Sequence, residues 1–435
     1  MRWSIISLSF LFPLCAHACP DLQAFYEYEE DIESQIALES ALAPLMSECL
    51  RSPEFFALYG SALMETGKLA VALEMLERAL LLDANNGSAL IDYAQALYLR
   101  GQLFSALDLN NQLSQRQDLP ANVQALVAQR DEVWRRDTRN YGAQVDVLAG
   151  YDNNLNGAPD PSQITLTLSG EPVILTLNPE YQAISGPYLN LRLGGQFQQL
   201  ASDHQHNISG ELRSRTSEDT ASDLVQLATH YHFLLPKRDN AWQIGAGLNH
   251  LFFGGNALYT AVDTSVRYQK VTARQCTRRY DLAGQYQLYK DQSTLNSFES
   301  KLSAGLDCPV EVLGFQSLLG GDFGVVHSAA INDGRPGGDR LGWQFNLAWQ
   351  FPLLKGVLTS QLSHTDLNDQ AGYSALLDDG AERWLKRSFV LLQYRQMLQP
   401  NLAFMVNIYH QNQHSNIELF DSVDSTLELG ISASF

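Results

Sequence analysis

Few residues of this chain have the type and spacing to do chemistry. Its ten histidines are scattered. His230 and His232 share a strand face, and Ser363, His364 and Asp366 lie close together in the chain. There is no G-x-S-x-G elbow, no H-E-x-x-H pair and no glycine-rich phosphate loop ending in Lys-Ser or Lys-Thr. The glycines of the run from Gly334 to Gly338 have no lysine and no strand-to-helix setting, so that run reads as a loop. Chemistry of another kind belongs to the cysteines. Cys276 and Cys308 bracket one strand–loop–strand unit, which puts them at the same end of neighbouring strands; Cys19 and Cys49 fall in a helical stretch. Neither spacing suits zinc, and structural disulfides are the expectation. The chain reads as a non-enzyme with no cofactor and no metal.

The elements that must position these residues are mostly strands. In Trp343-Gln344-Phe345-Asn346-Leu347-Ala348-Trp349-Gln350-Phe351 the large apolar residues take one face and the amides the other, a period of two. A soluble barrel would bury the aromatic face, whereas an outer-membrane barrel turns it to lipid and keeps a wet lumen. The same alternation recurs around 141–151, 187–200, 207–216, 223–235, 241–253, 259–273, 279–290, 298–308, 315–327, 341–351, 357–367, 384–397, 402–411 and 424–435. Fourteen strands bring both ends of the barrel to one side. Alternate connections are short, as at 236–240 and 352–356. The others include long polar loops at 152–186, 328–340, 368–383 and 412–423, the outer-membrane pattern of short periplasmic turns and longer outer loops. Trp242, Phe252, Phe253, Tyr259, Trp384, Tyr394 and Tyr409 suit aromatic girdles. The fold class is a multidomain chain, all-α and tetratricopeptide-like at the N-terminus, then an antiparallel transmembrane β-barrel of about fourteen strands.

A formal net charge of -19 over 435 residues excludes nucleic acid as a partner, because binding it needs a basic footprint. Residues 1–18 read as a secretory signal peptide: Arg2, an apolar run from Ile5 to Leu14, then Ala16-His17-Ala18. A first core helix and a lipid-modified Cys19 are the weaker readings. Cleavage removes Cys15 and leaves four cysteines in an oxidising compartment. Glu27, Glu29, Glu30, Asp31 and Glu33 form an acidic, solvated segment.

From Pro53 a 34-residue pattern appears. Phe56, Gly60, Leu63, Gly67, Leu69, Ala72, Leu76 and Ala79 are followed, 34 residues on, by Leu90, Ala94, Leu97, Gly101, Leu103, Ala106, Asn110 and Leu113, with only Asn110 discordant. This resembles the tetratricopeptide repeat, in copies at 53–86 and 87–120. A third helix pair is expected either before Pro53 or over 121–136. The helical domain spans 19–137 and the barrel 138–435. In such repeats the first helices line a concave face, here Ala57, Ser61, Met64, Ile91, Gln95 and Tyr98. It reads as a groove for a polypeptide; a scaffold that positions or plugs the barrel is the blander alternative.

Two short stretches carry further meaning. Glu428-Leu429-Gly430-Ile431-Ser432-Ala433-Ser434-Phe435 is similar to the terminal signal by which the barrel-assembly machinery takes up its substrates, through Glu428, Gly430 and Phe435. The first barrel strand runs into Gly150-Tyr151-Asp152-Asn153-Asn154-Leu155-Asn156-Gly157. With a signal peptide, a short repeat domain and a barrel, the motif of Tyr151, Asp152, Asn154 and Asn156 resembles the surface lipoprotein assembly modulator family. The resemblance implies an outer-membrane translocator with its N-terminal domain in the periplasm. It implies a surface lipoprotein or secreted protein as client, outer-membrane lipid around the barrel, and no nucleotide, metal or covalent step. The chain is read as a monomer. The alternatives are an exopolysaccharide or solute export porin, and a surface host-interaction factor acting through loop 152–186. Asp152, Asn153, Asn154 and Asn156 also have a local reading, since Asn and Asp favour turns.

Overall fold

The computed structural model describes residues 19–28, 31–312 and 314–435. The expected signal peptide, together with Glu29 and Glu30 of the acidic segment, lies outside them. The chain divides between Thr138 and Arg139 into a helical unit and a barrel unit.

The helical unit contains α1 (Ile32–Leu42), α2 (Pro53–Glu65), α3 (Leu69–Leu82), α4 (Gly87–Leu99), α5 (Leu103–Ser114) and α6 (Ala121–Arg136). Local chemistry starts them. The Asp31 carboxylate accepts from Glu33 N and Ser34 N, Ser52 Oγ accepts from Phe55 N with Pro53 opening α2, and Asn86 caps α4. The repeat turns are stopped alike. Gly67 and Gly101 sit at φ 78° and 82°, while Lys68 N and Gln102 N donate back to Leu63 O and Leu97 O. The fully buried Ala72 and Ala106 let successive helices approach. Both positions considered for a third pair are helical: α1 packs on α2, and α6 packs on α5. Asn110, discordant in the pattern, is buried and donates to Val127 O at 2.9 Å, which ties α5 to α6. Cys19 is bonded to Cys49, with Cα atoms 4.6 Å apart.

In the barrel unit the strands are β1 (Arg139–Asp152), β2 (Gln163–Leu168), β3 (Glu171–Thr176), β4 (Gly186–Leu200), β5 (Gln205–Ser217), β6 (Leu224–Pro236), β7 (Asn240–Phe253), β8 (Asn256–Val271) and β9 (Thr277–Tyr289). They continue with β10 (Ser297–Val312), β11 (Phe315–Ala330), β12 (Arg340–Leu353), β13 (Gly356–Ser374), β14 (Leu377–Gln399), β15 (Leu402–Ser415) and β16 (Ser422–Ser434). Fourteen of these, β1 and β4 to β16, close one antiparallel barrel in chain order, with β1 against β16; β2 and β3 form a separate hairpin. Two expected loops are therefore partly strand. Loop 152–186 contains the β2–β3 hairpin, and β13 and β14 run through most of 368–383, because Gly372 pairs with Glu382 and Ser374 with Leu377 across a bulge.

The outer face is apolar. Leu427, Leu429 and Ile431 on β16, and Leu347 and Trp343 on β12, are exposed, while Glu428 and Ser432 are buried on the inner side. Closure leaves no open barrel edge, as a bilayer requires. At the short-turn rim Cys276 and Cys308 form a disulfide, one step beyond the Thr277–Asp307 pair.

Candidate functional site: the repeat groove and the barrel lumen

In the helical unit, Ser61, Ile91, Gln95 and Tyr98 are partly exposed on α2 and α4. Ala57 and Met64 are a correction to the expected groove. At 4% and 7% exposed they belong to the core with Phe55, Phe56 and Leu63, since α2 is packed by α1, α3 and α4. Tyr98 stacks on Trp134 with ring centroids 4.9 Å apart, and its hydroxyl donates to Asp137 Oδ2 at 2.6 Å. Arg130 Nη1 donates to Ile91 O at 3.0 Å, so α6 contributes to the site. The periodic reading missed Asp92. Burial pushes its carboxyl up to about 6, against the opposing pull of Ser61 and Arg130. One signal was available: an aspartate inside an otherwise apolar helix.

In the barrel unit, the lumen wall is held by cross-strand polar pairs. Arg192 meets Glu211 at 2.6 Å, Arg279 meets Asp307 at 2.7 Å, and Asn346 donates to Asp322 at 2.8 Å. A cavity of about 390 Å³ lies against this wall, lined by Asp146, Tyr188, Arg213, Phe389, Met405 and Glu428 among others. Tyr409 also lines it, which corrects its placement in an outer girdle: Ile408 beside it takes the exposed face.

The terminal motif sits at the barrel seam. Tyr188 Oη and Asn190 Nδ2 each donate to Glu428 Oε1 at 2.8 Å, and Asn407 Nδ2 donates to Oε2 at 2.8 Å. Glu428 pairs with Gly150, and a Cβ on Gly150 would lie 2.5 Å from the Tyr188 ring. The glycine thus lets Tyr188 cross β1. Gly430 is needed for a similar reason, since a Cβ there would run into the Val147 carbonyl. Phe435 exchanges backbone hydrogen bonds with Ala143 at 2.9 and 3.1 Å, its ring exposed.

The first-loop motif splits by face. Tyr151 is 53% exposed on the outer face, whereas Asp152 is 1% exposed inside. Asp152 Oδ1 accepts from Asn154 N at 2.7 Å, and Oδ2 meets Arg215 Nη1 at 3.0 Å. Asn154 bonds Ala158 N, Ala158 O and Val423 O; Asn156 bonds Gln182 O and Ile184 N. Arg215 also donates to Leu155 O at 2.6 Å. These side chains fold the loop inward over the rim. Arg215, some 60 residues away in the chain, carried no sequence signal.

The scattered catalytic residue types do not assemble. Ser363 bonds Asn346 on the inner face, while His364 bonds Ser388 and lies against the exposed Trp343. His230 and His232 stack with centroids 6.3 Å apart. Among the described residues no group of His, Cys, Asp or Glu is placed to hold a metal.

Residues 63–130 match the tetratricopeptide repeat family. No curated protein matches the chain significantly. Among solved structures, the chain is similar to an anion-selective porin from Comamonas acidovorans, at 10% identity and a TM-score of 0.38 over 68% of this chain and 99% of that one. It is also similar to the outer membrane channel DcaP of Acinetobacter baumannii, at 9% identity and a TM-score of 0.40 over 69% and 98%. A third is the Yersinia enterocolitica type III secretion chaperone SycD in complex with a peptide of the translocator YopD, at 16% identity and a TM-score of 0.22 over 24% and 82%. The helical unit thus carries a tetratricopeptide region, and the other unit is a closed antiparallel barrel of fourteen strands.

Proposed function

We propose that this protein is an outer-membrane translocator: the helical unit, in the periplasm, receives a client protein, and the barrel delivers it to the cell surface or outside. What supports this is one chain combining a tetratricopeptide region with a closed barrel that is polar inside and apolar outside. The resemblance of the first-loop motif to the surface lipoprotein assembly modulator family points the same way, and makes a surface lipoprotein the first client to test. No step is catalytic. Client folding outside supplies the free energy, while the barrel lowers the barrier to passage.

The test is surface protease accessibility of candidate clients in cells with and without the protein, with total client as control. Shielding of one client on deletion supports the reading and identifies that client. A second reading, passage of a hydrated polymer, is favoured by the amides of the inner wall, such as Gln344, Asn346 and Asn407. Clients that stay exposed while a polymer disappears from the medium would replace the first reading with the second.

A further inference from the structure

Among the described residues, the β2–β3 hairpin pairs along one of its edges and leaves the other without a strand partner. On β2, Thr167 N donates to Leu376 O at 2.9 Å and Thr165 N to Glu418 Oε2 at 2.9 Å; the Asp379 amide donates to Thr167 Oγ1. These bonds leave the hairpin outward, so Thr165–Ile174 and Thr167–Pro172 are the wide pairs of the ladder. Ile174 must then point its own N–H and C=O to the opposite edge, with Thr176 two residues on. The turn fixes this geometry, because Ser169 and Gly170 both have positive φ, 54° and 81°. Pro172 has no N–H to offer, which limits the open ladder to Ile174 and Thr176 and sets its register.

All six residues of β3 are exposed. Val173 and Leu175 share a face with Ile164 and Leu166, their partners on β2. Ile174, on the other face, is 69% exposed. An open edge lined with apolar side chains favours strand addition. Charge selects what can add. Between residues 153 and 185 there is no Lys, Arg or His, while Asp160, Glu171 and Glu180 are present, and the hairpin is seated beside Glu418 and Asp379.

We propose that β3 is a docking edge for an extended polypeptide whose apolar residues alternate and are flanked by basic ones. A second copy of this chain is disfavoured because it would bring acidic hairpins together, and anionic lipid headgroups are disfavoured by the same sign. The inference concerns binding at the long-loop rim and stands independently of transport.

The experiment uses the full chain in detergent and two fluorescein-labelled peptides of alternating valine and threonine, one with lysine at both ends and one with glutamate. Anisotropy should show the lysine peptide binding and the glutamate peptide not binding. Glu171→Lys should weaken the lysine peptide about two- to fivefold, and Ile174→Pro, which removes an edge donor, about fivefold. Heat-modifiable mobility on SDS gels checks that both variants keep the barrel. Equal binding of the two peptides, no binding of either, or binding indifferent to both substitutions overturns the proposal. So does an intermolecular disulfide formed readily between Ile174→Cys chains, which would assign the edge to self-association.

Discussion

At the scale of single residues, Glu428 shows how one side chain can hold a seam. Three donors from β4 and β15 converge on a carboxylate of β16 that is 7% exposed. Replacing it with alanine strands Tyr188, Asn190 and Asn407, and each hydrogen bond to a charged group contributes about 1.5–3 kcal/mol. Glu428→Ala should therefore lower the temperature at which the barrel loses its folded gel mobility, by an amount corresponding to about 3 kcal/mol or more. Glu428→Gln, which keeps an acceptor, should lose clearly less; equal losses would sink this account. Asp92 permits a pH test. Its folded carboxyl is pushed by burial up to about 6, well above the ordinary aspartate range, so the folded state binds the extra proton. Stability of the helical unit should fall as pH rises from about 4 to about 6, and the deficit persists above that. Asp92→Asn should then stabilise the helical signal at pH 7.5 by about 1–2 kcal/mol and lose that advantage near pH 4. Thermal melts followed at 222 nm would show it; a pH-independent difference would contradict it. Both roles were half visible in sequence. Glu428 stood out by its position near the terminus, but its partners come from strands far away in the chain.

Among the elements, the first loop behaves as a strap rather than a loose crossing. Asp152, Asn154 and Asn156 bond the loop's own backbone, Asn154 also bonds Val423 O of β16, and Arg215 reaches from β5 to bind Asp152 and Leu155 O. Arg215→Ala leaves a buried carboxylate unpaired, a loss of about 3 kcal/mol or more in a closed site. The loop should then become cleavable between 153 and 185 by a protease that spares it in the parent protein; unchanged protection would show that Arg215 is not the latch. The fourteen barrel strands were legible, because period two survives in them, whereas the β2–β3 hairpin fell in an expected loop. Extents were not always legible. The tip of β13 and β14 carries Gly372, Asp378, Asp379 and Gly380, which read as a loop, yet the pairing continues through a bulge because neighbouring strands carry it.

For the whole molecule, the arrangement is inverted relative to a soluble barrel, and one comparison tests that. Leu347, exposed in the middle of β12, should tolerate arginine poorly, at about 2–4 kcal/mol for a charge near the bilayer midplane. Gln361 on the neighbouring strand β13 pairs with Ala348, on the side that Asn346 and Ser363 share, and should accept lysine with little change. Refolding into lipid vesicles against urea would measure both, and equal costs would refute the lipid-facing assignment. By itself, the sequence determined the two-part plan, the fourteen strands and which face of each is apolar. Those depend on spacing, and the helical or strand period is written locally in side-chain order. It also placed Cys276 and Cys308 at one rim, because strand alternation sets which ends coincide. Only the tertiary structure decided that Ala57 and Met64 are buried, that Arg215 clasps the first loop and that Glu428 gathers donors across the seam. Each of these depends on which distant elements become neighbours, and that is settled by packing and closure of the barrel rather than by any local pattern.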